Sequence, residues 1–386
     1  MAAAHYPVIE VGGSPYERGR QHGEQARDRV AQSIEIYRDR FARTAGLQWD
    51  EAVEHGRGFG ASIEALDPDI HTELRGIADG AGFTLDEIVA VNCRTEILFG
   101  ARNRERGQAH EDAHECTTVG VPPNGSAGGK TLLGKNWDWT AACQDSVIVV
   151  RAEVDEGPNF VMVVEAGMVG RDGLNEDGIA VTGNLLNSTK DGQTAGIPVP
   201  IVRRRVFNSR SLDAALRAVL DADRAASTNY VIAHESGVII NFEASPEQVY
   251  PVYPENGLLT HSNHFLAVAA QVQGIDCATG GDTLYRHRRA RDLLESKAGA
   301  LTVEDIQEAL RDHAGYPLSI CRHVDAERGN AGTASIASIV MDVAERTVYV
   351  ASGPPCSNEY RAVTVPGSTQ SAATAGAAAP AVATPA

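Results

Sequence analysis

Paired cysteines, long apolar runs and positive charge are scarce or missing in this sequence of 386 residues. Its six cysteines stand at 93, 116, 143, 277, 321 and 356, with no CxxC and no repeated spacing. That dispersal excludes a disulfide framework or a zinc ribbon and points to a reducing, cytoplasmic setting. Each cysteine is by default a small buried hydrophobe. No apolar run approaches the ~18 residues of a membrane-spanning helix. Met1 to Pro15 contains no Lys or Arg ahead of an apolar stretch, so no secretory leader is expected. Lys and Arg number 34 against 51 Asp and Glu, a net charge of −17. Such a surface repels phosphate backbones and excludes general nucleic-acid binding. Aromatics make up only 5% while glycines number 38, which suits a turn-rich fold of small and aliphatic side chains.

What is present divides in two. The first third is helical in pattern. Ser14-Pro15-Tyr16-Glu17 is a capping box with proline at the first helical position, opening a polar stretch to Arg43 with Val30, Ile34, Tyr37 and Phe41 at helical spacing. A second helical region covers about Asp50 to Ala81, and the capping box Thr84-Leu85-Asp86-Glu87 opens a helix through Glu96. Ala101 to Glu115 is charged and apolar-poor and reads as an exposed loop. From Cys116 the pattern is strands: Thr117–Val121, Leu132–Trp137, Ser146–Val154, Phe160–Glu165, Ile179–Leu185, Tyr230–His234, Val238–Glu243, Leu258–Asn263, Ala334–Asp342 and Thr347–Ser352. Helices are expected at Ser211–Leu220, at Thr283–Ser296 and from Thr302. Runs of helices and of strands, rather than alternation, indicate an α+β fold with antiparallel sheets. The segment 366–386 is rich in Ala, Pro, Ser and Thr and cannot build a core.

Several motifs lose their appeal on inspection. Gly129-Lys130-Thr131 resembles the end of a phosphate-binding loop, yet its first glycine would fall on Asn124 and a strand follows rather than a helix. A hairpin loop is the reading it supports. His110 and His114, or His261 and His264, offer no HExxH, and no metal site is expected. Cys116 differs in its setting. It joins the charged loop to the first strand, and Asn136-Trp137-Asp138 ends the next strand of the hairpin, which brings Asp138 near it. Attack of its thiol on the Glu115 carbonyl, then hydrolysis of the thioester, would release an α-amino group on the nucleophile's own residue. Such an amine, with an ordinary pKa of about 7.7–8.0, can serve as general base without a histidine. An ordinary buried cysteine at a strand start is the competing reading.

At these residues the sequence resembles the acyl-coenzyme A:6-aminopenicillanic acid acyltransferase family, a branch of the N-terminal nucleophile hydrolases. The likeness runs from about Val8 to Pro355. It includes Gly13-Ser14-Pro15-Tyr16-Glu17-Arg18-Gly19 with Gly23, Asn92-Cys93-Arg94-Thr95-Glu96, Cys116-Thr117-Thr118, Asn136-Trp137-Asp138, Ser262-Asn263-His264-Phe265, Asp312-His313, Ile320-Cys321-Arg322-His323 and Ala334 to Asp342. The resemblance implies a four-layer αββα sandwich of two antiparallel sheets. It implies Cys116 as nucleophile and new N-terminus, Asp138 orienting the cysteine and its amine, and Asn263 as an oxyanion-hole side chain. From the wider superfamily that includes cholylglycine hydrolases it adds Asn175 at the oxyanion and Arg286 as a cation near the nucleophile. Asn175-Glu176-Asp177-Gly178 is also good turn chemistry, and Arg286 shares its helix with Arg288, Arg289 and Arg291. Arg94 and Glu96 either buttress the site or form a buried ion pair. The family's fungal member cleaves after glycine, whereas Glu115 precedes Cys116 here.

The expectation is therefore one composite domain: residues 1–115 as a mainly helical fragment and 116–365 as a nucleophile-bearing, strand-rich partner, followed by a disordered tail at 366–386. The two fragments would pair after cleavage. The expected activity is hydrolysis or transfer of the acyl group of a small N-acyl amide through a thioester on Cys116. No cofactor is expected, with acyl-CoA as a conceivable cosubstrate and an acyl thioester as alternative donor. An acyl-CoA-dependent amine N-acyltransferase and an unprocessed, non-enzymatic binding protein are the other readings, with a papain-like protease a third. No membrane or nucleic-acid partner is expected.

Overall fold

The computed structural model describes residues 5–98, 116–192, 196–276, 280–325, 327 and 332–368. The charged segment Ala101–Glu115 and the residues from 369 onward lie outside these. Strand β1 (Val8–Gly13) leads into five helices: α1 (Pro15–Gln25), α2 (Arg27–Ala45), α3 (Trp49–Leu66), α4 (Pro68–Ala81) and α5 (Leu85–Asn92). The capping boxes at Ser14 and Thr84 open α1 and α5. The long helical regions expected before Ala81 are each broken in two. One breaks at Asp67, because Pro68 removes an N–H and pushes the preceding residue out of the helical region. Asp67, at φ −150°, then caps the N–H of Ile70 at 3.1 Å. The other turns at Ala26.

Two sheets follow. The first has eight strands in the order β1, β4 (Val147–Val154), β5 (Phe160–Glu165), β6 (Asp172–Asn175), β7 (Ile179–Thr182), β8 (Thr228–His234), β9 (Ile239–Ala244) and β10 (Val249–Val252). The second has six: β11 (Leu259–His261), β2 (Thr117–Val121), β3 (Leu132–Thr140), β12 (Thr333–Asp342), β13 (Thr347–Ala351) and β14 (Tyr360–Thr364). All neighbours are antiparallel except β1, which runs parallel to β4. The two-sheet α+β arrangement is as expected, and its one parallel pair comes from a strand ahead of α1 that the sequence pattern does not reveal. Both faces of β5 are buried, Met162 on one and Val163 on the other, because helices cover one side and the second sheet the other.

Further helices are α6 (Val199–Phe207), α7 (Leu212–Leu220), α8 (Val268–Val272), α9 (Asp282–Glu295) and α10 (Val303–Leu310). Helices α6 and α7 lie on the eight-stranded sheet, and α9 and α10 on the six-stranded one. One core cluster joins the inner faces, with Trp137, Ile336 and Ile339 of the second sheet among Val149, Val161 and Val163 of the first. A separate cluster of Val119, Leu132, Leu294, Ile306 and Val340 lies under α9 and α10. The architecture is α+β: helices, sheet, sheet, helices. The Gly129-Lys130-Thr131 segment is the β2–β3 hairpin loop.

Candidate active site

The β2–β3 register sets the site. Thr117 pairs with Asn136, so Cys116 enters the hairpin opposite the end of β3, and its thiol lies 3.8 Å from the Asp138 backbone oxygen. The two threonines after it point to opposite sides, as alternation requires. Thr118 donates to Asn184 Oδ1 at 2.7 Å, towards the first sheet. Thr117 accepts from Arg286 Nη1 at 3.0 Å, on the α9 side.

Arg286 is fully buried and binds Cys116 and Thr117 at the start of β2. Its Nη1 donates to the Cys116 carbonyl at 2.7 Å, its Nη2 to Asn263 Oδ1 at 3.1 Å, and its Nε to Asp282 at 3.1 Å. Asn263 Oδ1 also accepts the backbone N–H of Cys116 at 2.7 Å, while Asn263 Nδ2 donates to the Leu185 carbonyl at 2.8 Å. This amide orientation is forced, because a flipped side chain would turn its NH2 against two donors. Among the described residues, Leu185 is the one acceptor for the two N–H groups of Nδ2. Ser262-Asn263-His264 is strapped to the start of α9 through Thr283, whose Oγ1 accepts the Asn263 N–H at 2.7 Å and whose carbonyl accepts from Ser262 Oγ at 2.6 Å.

Asp138 sits opposite Ser335 of β12, next to a bulge at Ile336. Ser335 Oγ donates to Asp138 Oδ1 at 2.5 Å, and Asp138 Oδ2 is buried with no hydrogen-bond partner among the described residues. Burial pushes the carboxyl up to about 7, against the opposing pull of Arg286, Ser335 and Lys135. A carboxyl poised there can hold or release a proton near neutrality.

On the inner side of Cys116 lies a cavity of ≈30 Å³, the room of about two water molecules. Arg94, Arg171 and Arg203 line it with Trp139, Leu185 and Cys116 itself. Arg171 stacks over Trp137 at 3.6 Å. Lys135, Arg171 and Arg203 all face one carboxylate, Asp172, at 3.2, 3.5 and 3.7 Å. Three cations against one anion leave the thiol in a positive field among the described residues. Burial lowers Lys135 to about 8 and Arg171 to about 10, with Asp172 opposing both shifts.

The structure thus gathers Cys116, Asp138, Asn263 and Arg286, and it does not bring Asn175 to them. Asn175 ends β6, where its Nδ2 donates to the carbonyls of Phe207 and Ser209 and its Oδ1 accepts from the Ile179 N–H. Every polar atom of its side chain is committed to that turn and to the end of α6, which corrects its assignment to the oxyanion. Arg94 pairs with Glu165 at 2.8 Å rather than with Glu96. Glu96 accepts from the Val199 N–H at the start of α6. Lys135, Arg171, Ser335 and Asp282 were missed; the signal for the first was a charged side chain in the expected strand Leu132–Trp137 beside Leu132, Leu133 and Trp137. No hydrogen bond joins a histidine to Cys116 among the described residues. His261 is paired with Glu243 at 2.7 Å and His264 with Thr283 at 3.0 Å. That disfavours the papain-like alternative.

The family model described as "Acyl-coenzyme A:6-aminopenicillanic acid acyl-transferase" matches residues 126–356, and the chain belongs to that family. Among curated proteins it is similar to the 40 kDa form of acyl-coenzyme A:6-aminopenicillanic-acid-acyltransferase of Emericella nidulans, 28% identical over 350 residues, which cover 90% of this chain and 92% of that one. Among solved structures it matches a variant of conjugated bile acid hydrolase from Clostridium perfringens, with TM-score 0.44 and 14% identity over 64% of this chain and 92% of that one. It also matches penicillin V acylase from Agrobacterium tumefaciens, with TM-score 0.37 and 15% identity over 62% and 75%. No helix among the described residues is long and apolar enough to cross a membrane.

Proposed function

We propose that this protein is an autoprocessed N-terminal cysteine amidohydrolase or acyltransferase, cleaved between Glu115 and Cys116 and acting on a small N-acyl amide through a thioester on Cys116. The observation that carries this is the treatment of Cys116. Its nitrogen rests on Asn263 Oδ1, its carbonyl on Arg286, and its thiol borders the cationic cavity. An ordinary buried cysteine needs none of this.

In self-cleavage the Cys116 sulfur bonds to the carbonyl carbon of residue 115. The C–N bond breaks and the departing nitrogen takes the thiol proton. Water then hydrolyses the thioester, leaving a carboxylate on residue 115 and a free thiol and amine on Cys116. The amine inherits the Asn263 acceptor, and the nearby Arg286 guanidinium disfavours its protonation, so it remains a base near neutral pH. In turnover it accepts the thiol proton and returns it to the leaving amine. The spare Asn263 N–H and the Arg171 and Lys135 cations stabilise the tetrahedral oxyanion by a few kcal/mol.

Transfer to an amine, with acyl-CoA as donor, is the second reading, favoured by the name of the fungal relative. Measuring product partition with and without added amine separates hydrolysis from transfer. Denaturing mass spectrometry tests the core proposal: the expected products are chains of 115 and 271 residues from the 386, and Cys116→Ala abolishes both cleavage and turnover. A fully active intact chain overturns it.

A further inference from the structure

Outside the site just described, four side chains converge beyond the end of α10. His313, Cys321, His323 and Cys356 each present one ligand atom, and all four atoms lie within 4.8 Å of one another. Both cysteines are unbridged. His313 Nε2 is 3.1 Å from His323 Nε2, and Cys321 Sγ and Cys356 Sγ are each 3.4 Å from that same nitrogen.

Hydrogen bonding does not account for this geometry. An imidazole Nε2 carries either one hydrogen or one lone pair, so it makes one good hydrogen bond. Here three partners crowd it. A cation at the centroid answers all four groups at once. Zn–N bonds of about 2.0–2.1 Å and Zn–S bonds of about 2.3 Å give a tetrahedron with N···N edges of about 3.3 Å and N···S edges of about 3.5 Å. The three separations to His323 Nε2 lie within a few tenths of an ångström of those edges, and the remaining pairs lie within 4.8 Å. Two thiolates and two imidazoles in a tetrahedral set suit Zn²⁺ above other abundant divalent ions.

We propose that His313, Cys321, His323 and Cys356 form a structural zinc site. Four protein ligands close the coordination shell, so the metal takes no part in acyl chemistry. The two ligand segments are held in place before metal arrives. Cys321 N–H donates to the Asp312 carbonyl at 2.9 Å and His323 N–H to the Pro317 carbonyl at 3.1 Å. Arg311 Nε donates to the Pro355 carbonyl at 3.0 Å, tying the Cys356 segment to the end of α10. His313 and Cys356 are exposed while Cys321 is buried, which leaves the metal an entry path from solvent.

The site also has a purpose in the fold. Arg322, flanked by two of the ligands, pairs with Asp282 at 2.5 Å, and Asp282 in turn holds Arg286. The Arg322 N–H donates to Ser335 Oγ at 2.9 Å, and Ser335 holds Asp138. Zinc would fix the loop that positions both groups flanking Cys116.

Metal analysis of the purified full chain tests this without reference to acyl transfer. The expected result is one zinc per chain after gel filtration in metal-free buffer. Cobalt substitution should give the intense visible absorption of a four-coordinate ion together with thiolate charge transfer. Cys356→Ser and His313→Gln, both at exposed positions, should reduce bound zinc to background while the chain stays folded by circular dichroism. His55→Ala, an exposed histidine elsewhere, should retain it. Absence of stoichiometric metal together with a six-coordinate cobalt spectrum overturns the proposal, as does a Cys321–Cys356 disulfide in protein isolated under thiol-blocking conditions.

Discussion

Asp138 is the residue on which burial and chemistry are most clearly in tension. Its carboxyl is held at about 7 chiefly by burial, against an ordinary 3.8. A raised acid pKa means that the folded chain binds the proton more tightly than the unfolded one. Stability from this group is therefore present at low pH and is lost as pH rises from about 4 through about 7. The difference of about three units corresponds to an upper bound of about 4 kcal/mol. In a Cys116→Ala background, which keeps the chain uncut, the unfolding midpoint should fall between about pH 5 and about pH 7. Adding Asp138→Asn should flatten that slope, because the amide cannot ionise yet can still accept from Ser335. Calorimetry across that range checks it, and parallel slopes for the two variants would sink the argument. At this scale the sequence was partly legible. Cys116, Asp138 and Asn263 lay in motifs, Arg286 came from the wider resemblance, and all four are gathered in space. Asn175 lay in a motif that is only a turn, since local spacing cannot tell a turn asparagine from an oxyanion donor. The His313, Cys321, His323 and Cys356 cluster escaped notice because three of its ligands lie at 313–323 with no CxxC to mark them, and the fourth, Cys356, is 33 residues further on.

Among the elements, the crossing of α1 and α4 shows what a sequence motif can mean physically. Gly19 and Gly23 of α1 face Gly76 and Gly80 of α4. A methyl group at Gly19 would lie 2.0 Å from the Glu73 carbonyl oxygen, and one at Gly80 would lie 2.2 Å from that of Arg20. These are backbone atoms, which cannot swing aside as a side chain would. Gly80→Ala should destabilise the chain by about 1–3 kcal/mol or more. Gly58→Ala, on the exposed side of α3 with no atom within 4 Å of its added methyl, should instead stabilise it by about 0.5–1 kcal/mol through helix propensity. Urea midpoints of the two variants in the uncut background check the opposite signs; a neutral Gly80→Ala would show that the helices can part. The strands from β2 onward were largely legible because alternating or continuous apolar runs between turn residues are a strong signal. Strand β1 was not, since Val8–Gly13 is short and owes its conformation to pairing with β4, some 140 residues away. Helix α6 was not either, because Pro198 and Pro200 read as loop before Pro198 is seen to precede a helix start.

At the scale of the whole molecule, the boundary at Cys116 cuts through the middle of one fold. Strand β1 belongs to the eight-stranded sheet, and buried contacts cross the boundary throughout. Glu73 pairs with Arg204 at 2.7 Å, Tyr37 donates to Glu165 at 2.6 Å, and Asn92 donates to the Gly167 carbonyl at 2.8 Å. If cleavage occurs, neither fragment keeps a complete core, so the two should co-elute in native chromatography and part only in denaturant. Their folding then becomes a bimolecular event. Each tenfold rise in concentration stabilises the pair by about 1.4 kcal/mol. With an unfolding entropy of about 2.1 cal/mol/K per residue, a chain of this length should gain about 2 °C in midpoint per tenfold concentration under reversible conditions. The uncut Cys116→Ala chain, whose refolding is unimolecular, should show no such dependence. Calorimetry of both forms over a hundredfold concentration range distinguishes them. A midpoint independent of concentration in protein whose cleavage has been verified by mass would show that one fragment folds alone, against the interlocked sheets and core described above.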